Sequence, residues 1–194
     1  MSRRNIIVIT SFVVLTGAIG VILFNRRQRI RRVTNLLDGI SETSPNKKFS
    51  DATWEQWLKD VGWKSGEQWC MYYSKRVLME AFKKDAEAIN KALGGSTQSS
   101  YNLVKSGASP LFEISQTPKV GDIAIWQRTT NPAFGHAGVV RRVYRDGTME
   151  VSEGNVTIDK AIEGVGKFNH DSKIGSKHSS GSTLALRGFI RYKG

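Results

Sequence analysis

Nineteen consecutive residues, Ile6 to Phe24, carry no charge, and arginines stand on both sides of them. As a helix rising about 1.5 Å per residue, this run reaches roughly 28 Å, enough to cross a hydrocarbon core. A cleaved signal peptide would have a shorter apolar stretch and a small-x-small exit. Here the run ends in Asn25-Arg26-Arg27, with only Ala18-x-Gly20 inside it. A buried core helix would need a second long apolar helix to pack against, and the sequence holds none. The expectation is a short basic tail (1–5), a single transmembrane helix (6–24) with the lipid bilayer as its partner, and a basic flank and linker (25–49). One domain, 50–194, follows.

The charge follows the same division. The net charge of +12 from 29 Lys+Arg against 17 Asp+Glu suggests nucleic acid at first sight. Residues 1–32 hold seven arginines and no acid, which leaves 22 basic against 17 acidic residues, or +5, on the rest. The excess brackets the apolar run, and no nucleic-acid motif is visible, so no nucleic-acid partner is expected. Cys70 is the one cysteine, which excludes an intrachain disulfide and a Cys-rich zinc site.

Past the linker the pattern is helical. Thr53-Trp54-Glu55-Gln56 has capping-box spacing, and a short helix from there ends near Gly62. A longer helix begins near Glu67 with Trp69, Tyr73, Val77 and Ala81 along one face, and Gly94-Gly95 stops it or its continuation. Ser99 to Ser106 reads as another short helix. The period then changes to that of strands. Val120-Gly121-Asp122 opens a run from Ile123 to Gln127, and His136 to Tyr144 leads to a hairpin turn at Asp146-Gly147. Thr148 to Ser152 returns, residues 156–181 read mostly as loop, and Leu184 to Tyr192 reads as a last strand. Helices first and an antiparallel sheet after them make an α+β layout.

Three residue types point to thiol chemistry. Cys70 falls in the first turn of the longer helix, where unpaired N–H groups and the dipole favour a thiolate. His136 stands between small neighbours in Phe134-Gly135-His136-Ala137-Gly138, open to another group, and an imidazole is what a thiolate enzyme needs to take and return a proton. Glu153 and Asn155 end the partner strand of the hairpin. Contact with His136 requires a bulge or a splayed entry there, because 136 and 153 are unequally spaced from the turn. His170 and His178 fall in the loop-rich stretch and read as solvated. Tryptophans 54, 57, 63, 69 and 126 read as core rather than as sugar-stacking platforms.

Gly66-Glu67-Gln68-Trp69-Cys70, Val120-Gly121-Asp122-Ile123, Gly135-His136-Ala137-Gly138-Val139-Val140 and Glu153-Gly154-Asn155 occur in that order. Together they resemble the CHAP domain (cysteine- and histidine-dependent amidohydrolase/peptidase) of the NlpC/P60 and papain-like group, over roughly 50–194. The resemblance implies a papain-type fold with Cys70 as nucleophile, His136 as general base and then acid, and Glu153 as the group orienting the imidazole. Asn155 would assist, and Gln68 with the Cys70 N–H would hold an oxyanion. Met71-Tyr72-Tyr73 departs from the small-aromatic pattern common after the cysteine. Asp51, Glu55, Asp60 and Glu67 are scattered without an Asp-x-Asp pattern, so neither a metal nor a cofactor is expected.

The implied substrate is peptidoglycan, cut at an amide bond by either an N-acetylmuramoyl-L-alanine amidase or a cross-bridge endopeptidase. The rival is a non-catalytic, membrane-anchored wall-binding module. Such a hydrolase must face the cell wall or periplasm, from a bacterial membrane or that of a lipid-containing virion. The more basic C-terminal flank of the apolar run argues for the opposite placement. An N-in anchor that overrides the charge bias, or a phage protein held back until lysis or entry, would reconcile the two.

Overall fold

The computed structural model describes residues 25–44, 47–159 and 162–194. The expected transmembrane helix, 6–24, lies outside the described residues. Among these, no helix is long and apolar enough to cross a membrane.

Residues 25–49, expected as flank and linker, begin with a helix over 25–36 (α1). Ile30 and Leu37 are buried in the main core. Arg141 holds this segment from the sheet side. Its Nε donates to Thr34 Oγ1 at 2.7 Å and its Nη2 to Asn35 Oδ1 at 2.6 Å. Arg26 donates through Nη1 to the carbonyl of Tyr192 at 2.9 Å. The basic flank is thus part of the folded body. A small antiparallel pair follows, β1 (Glu42–Ser44) with β2 (Lys48–Phe49).

Helix α2 (Ala52–Asp60) starts one residue before Thr53, because Asp51 rather than Thr53 caps it by accepting from the Trp54 N–H. The longer helix α3 (Cys70–Ala81) starts three residues later than its apolar spacing suggests. Gly66, at φ +100°, turns the preceding chain back. Trp63 Nε1 then donates to the Glu67 carbonyl at 2.8 Å, which keeps residues 63–69 as a folded loop. The helical path breaks at Phe82, passes a 3-10 turn (Lys83–Asp85), and resumes as α4 (Ala86–Ala92) before Gly94-Gly95. Helix α5 (Thr97–Lys105) is capped by Ser96.

Six antiparallel strands form the sheet: β3 (Phe112–Ser115), β4 (Ile123–Arg128), β5 (Gly135–Val143), β6 (Thr148–Asp159), β7 (Ile162–Asp171) and β8 (Leu184–Tyr192). Their order is β3-β8-β4-β5-β6-β7, so β8, the latest of them in sequence, lies between β3 and β4. Alternation along the strands splits the core. Ile123, Ile125, Ala137, Val139 and Ile190 join the helices in one cluster that includes Trp54, Trp63 and Trp69. Ala124, Trp126, Val140, Val151 and Leu186 form the other. The α+β layout holds.

The loop reading of 156–181 is corrected: β6 runs on to Asp159 and β7 follows it. The strand signal was weak because glycines occupy positions where a side chain has no room. A Cβ on Gly166 would lie 2.7 Å from Phe168, and one on Gly164 would lie 2.5 Å from Ile158. Close approach removed the apolar residues that alternation depends on.

Candidate active site

Cys70 is the first residue of α3 and is 6% exposed. Trp69, just before it, is fully buried, with its indole N–H on Glu42 at 2.5 Å and its ring edge-on to Phe49, Trp54 and Tyr73. The aromatic cluster fixes the start of the helix. From the sheet side, β5 carries His136 and β6 carries Glu153, both buried.

Glu153 is the register partner of Gly138, not of His136. The pairing slips between Val140 and Arg142, which supplies the irregularity that the hairpin spacing required. Gly138 leaves room for the carboxylate, since a Cβ there would lie 2.6 Å from Glu153 Cγ. The Glu153 side chain reaches along the sheet, and His136 Nε2 to Glu153 Oε2 is 2.8 Å. The Cys70 thiol interacts with the same imidazole and favours its charged form. With Nε2 committed to Glu153, it is Nδ1 that remains for the thiol. His136 therefore interacts with both Cys70 and Glu153.

The electrostatics follow from this line. Burial alone would lower the affinity of His136 for its proton. Its hydrogen bonds and charge interactions with Cys70 and Glu153 outweigh that, and its pKa is raised to about 10. Burial pushes the Glu153 carboxyl up, but hydrogen bonds from three imidazoles overcome it and hold the group well below the usual carboxylate range.

The other two imidazoles correct the sequence reading. His170 and His178 are not solvated. His170, on β7, is 6% exposed and meets Glu153 Oε1 through Nε2. His178 reaches Glu153 Oε2 at 2.7 Å from the 172–183 loop, which is tied to β8 by the His178 N–H on the Leu184 carbonyl at 2.9 Å. The Trp126 ring lies 6.0, 5.0 and 4.9 Å from the rings of His136, His170 and His178. The chain has three histidines in all, and every one meets the same carboxylate. That scarcity was the signal available in the sequence.

Asn155 stands apart from the imidazoles. Its Oδ1 accepts from the Trp69 N–H at 2.6 Å, and its Nδ2 donates to Glu163. Its φ is 61°, the one left-handed non-glycine among the described residues. Asn155 therefore positions the chain immediately before Cys70 and does not touch His136. Gln68 is exposed, two residues before the thiol.

His136, Glu153 and His178 are the group among the described residues whose donor atoms converge closely enough to consider a metal. Tetrahedral zinc with 2.0–2.1 Å bonds needs donor atoms about 3.3 Å apart. Here the two imidazole nitrogens lie 2.8 and 2.7 Å from the shared oxygen, which is the spacing of atoms bridged by hydrogen.

Residues 61–155 match the CHAP domain family. Over 106 residues the chain is 32% identical to a probable autolysin, LDP, of Staphylococcus aureus (strain NCTC 8325 / PS 47). That stretch is 52% of this chain and 34% of the relative, so the chain spans about a third of the relative's length. A crystal structure of the wild-type endolysin LysIME-EF1 aligns at a TM-score of 0.49 and 18% identity, covering 87% of this chain and 65% of that one.

Proposed function

We propose, from the match of residues 61–155 to the CHAP domain family, that the chain is a peptidoglycan hydrolase that cuts an amide bond by a Cys70–His136–Glu153 thiol mechanism on a papain-type fold. The observation that supports this reading is that His136 interacts with the first residue of α3 on one side and hydrogen-bonds a buried carboxylate on the other. The similarity to a probable autolysin supports the choice of substrate.

The contacts of His136 support the following steps. The Cys70 thiolate attacks the amide carbonyl carbon, and the new C–S bond leaves the carbonyl oxygen as an oxyanion. The Cys70 backbone N–H and the Gln68 amide are the donors we assign to that oxyanion. The His136 imidazolium gives its Nδ1 proton to the leaving nitrogen as the C–N bond breaks. Neutral His136 then takes a proton from water, whose oxygen attacks the thioester and releases the acid and the thiolate. Glu153 keeps the imidazole aligned throughout by accepting from Nε2.

The finer reading places this activity on a membrane-anchored protein. Residues 6–24 hold it in the bilayer, the catalytic domain faces the wall or periplasm, and the source is a bacterial cell or a phage. The packing of α1 against the domain supports a short, stiff connection to an anchor that ends at residue 24. The bond is either the sugar–peptide amide or a peptide cross-bridge.

Purified full-length chain incubated with isolated peptidoglycan is expected to release soluble fragments, and Cys70→Ala to release none. Mass spectrometry of the fragments identifies the bond. Release that persists in Cys70→Ala removes the thiol mechanism, and wild-type chain that sediments with the wall without releasing fragments establishes the binding-module alternative. Protease added to intact membranes is expected to digest the domain from the wall side, and protection there overturns the topology.

A further inference from the structure

His170 has no part in the steps above, yet it is buried, at 6% exposure. Its two ring nitrogens face two different atoms. Nε2 faces Glu153 Oε1, and Nδ1 faces the backbone carbonyl oxygen of His178 at 3.0 Å. A carbonyl oxygen has no hydrogen to give. The Glu153 carboxyl is held ionised by its imidazole partners, so it has none to give either. Each contact is a hydrogen bond only if the hydrogen sits on the ring nitrogen. A neutral imidazole carries one such hydrogen, and this position needs two.

We propose that His170 is a doubly protonated positioning residue of the catalytic site, which clamps Glu153 from the side opposite His136 and fixes His178 beside it. The assignment rests on the role given above to Glu153. The cation neutralises the buried carboxylate from β7. Its Nδ1–H holds the His178 carbonyl, and that brings His178 Nε2 onto Glu153 Oε2 next to His136 Nε2. With three N–H groups on its two oxygens, the carboxylate plane is set, and with it the orientation of His136 toward the thiol. The ionisable groups facing His170 are Glu153 from β6 and His178 from the 172–183 loop. His136 lies beyond the carboxylate on β5, and the rings of Trp126 and Phe168 complete the surround at 5.0 and 6.4 Å.

Two measurements on the full-length chain test this without requiring any wall-cleaving activity. Nitrogen-15 NMR of histidine-labelled protein at pH 7 is expected to show hydrogen on both ring nitrogens of His170. One bare ring nitrogen overturns the proposal whether or not the chain cuts peptidoglycan. Alkylation of Cys70 by iodoacetamide follows the thiolate–imidazolium pair, and the chain has no other cysteine to confuse it. In His170→Asn the carboxylate loses its second cation, so His136 is expected to hold its proton to higher pH. The alkaline limb of the alkylation profile should then move up. A His170 that only fills space would lower the melting temperature and leave that limb where it is, and an unmoved limb overturns the proposal. His170→Asn that fails to fold leaves the NMR result on the wild-type chain to decide. On peptidoglycan the same variant is expected to lose about tenfold in kcat with KM unchanged. A wild-type chain inactive on every peptidoglycan removes the hydrolase reading, while the proton count at His170 is still decided by the spectrum.

Discussion

Two buried carboxylates, Asp122 just before β4 and Glu153 on β6, are both 0% exposed. Asp122 receives the Arg191 guanidinium through Nε at 3.1 and 3.2 Å and Nη2 at 2.8 Å, and the Lys119 N–H at 2.8 Å. Glu153 receives three imidazoles. At Asp122 burial dominates and the carboxyl stays above its ordinary range despite the arginine. At Glu153 the imidazoles dominate and the carboxyl falls well below it. An arginine does not give up its proton, so its carboxylate can only anchor. An imidazole does, so its carboxylate can steer a proton toward and away from a thiol. The partner, not the burial, separates a clamp from a catalytic group.

The largest expected effect breaks the comparison on the active-site side. Glu153→Gln keeps the shape but turns an amide N–H toward one of three donors, and kcat should fall on the order of 10³-fold. A loss below about tenfold in steady-state kinetics would place Glu153 in the same class as Asp122. Asp122→Asn should do the reverse. It leaves a largely buried guanidinium without its counter-charge, which costs about 3 kcal/mol in urea unfolding, while kcat per folded molecule stays close to wild type. Replacing Arg191 by Met in the same chain should recover most of that stability.

The pH profile sharpens the contrast. Activity should persist to alkaline pH and fall about tenfold per unit once pH rises through about 10, where His136 loses the proton the leaving amine needs. The linkage to stability has the same direction. His136 binds its proton more tightly folded than unfolded, so its contribution is complete below about pH 6.5 and is lost as pH rises through about 10. Urea midpoints measured between pH 6 and 10.5 check it, and a midpoint that rises across that range contradicts it. The smallest effect is at Asn155. Asn155→Gly relieves the left-handed backbone but removes the acceptor for the Trp69 N–H, so kcat should drop about tenfold, or ~1.4 kcal/mol, with little change in melting temperature.

The residues that were legible in sequence are those whose chemistry depends on local context. Cys70 beside a helix start and His136 between small residues announce themselves, and the hairpin delivers Glu153 once a bulge is granted. Asn155 was legible as a site residue but not in its role, because its contact is with the Trp69 N–H, 86 positions away. His170 and His178 were missed because they lie in a stretch where Gly164 and Gly166 hide the strand, and a loop after it sets the second imidazole. Helix α1 was missed for a different reason. Its arginines read as a flank of the apolar run, whereas Ile30, Thr34 and Leu37 turn inward between them.

The place of β8 has a consequence for when the protein becomes active. Strand β4, which underlies the site through Trp126, has β8 as one of its two neighbours, and β8 also holds the His178 loop. A ribosome adds about 5–20 residues per second, and sheet closure must wait for residues 184–192 to leave it. Until then Cys70, His136 and Glu153 have all been synthesised, but β3 is not yet joined to β4 and the His178 loop has nothing to hold it. On the proposed function, the growing polypeptide carries its thiol, its base and its carboxylate before the last imidazole is in place. The third imidazole, His178, is tied down only by β8, the latest of the six strands to be made.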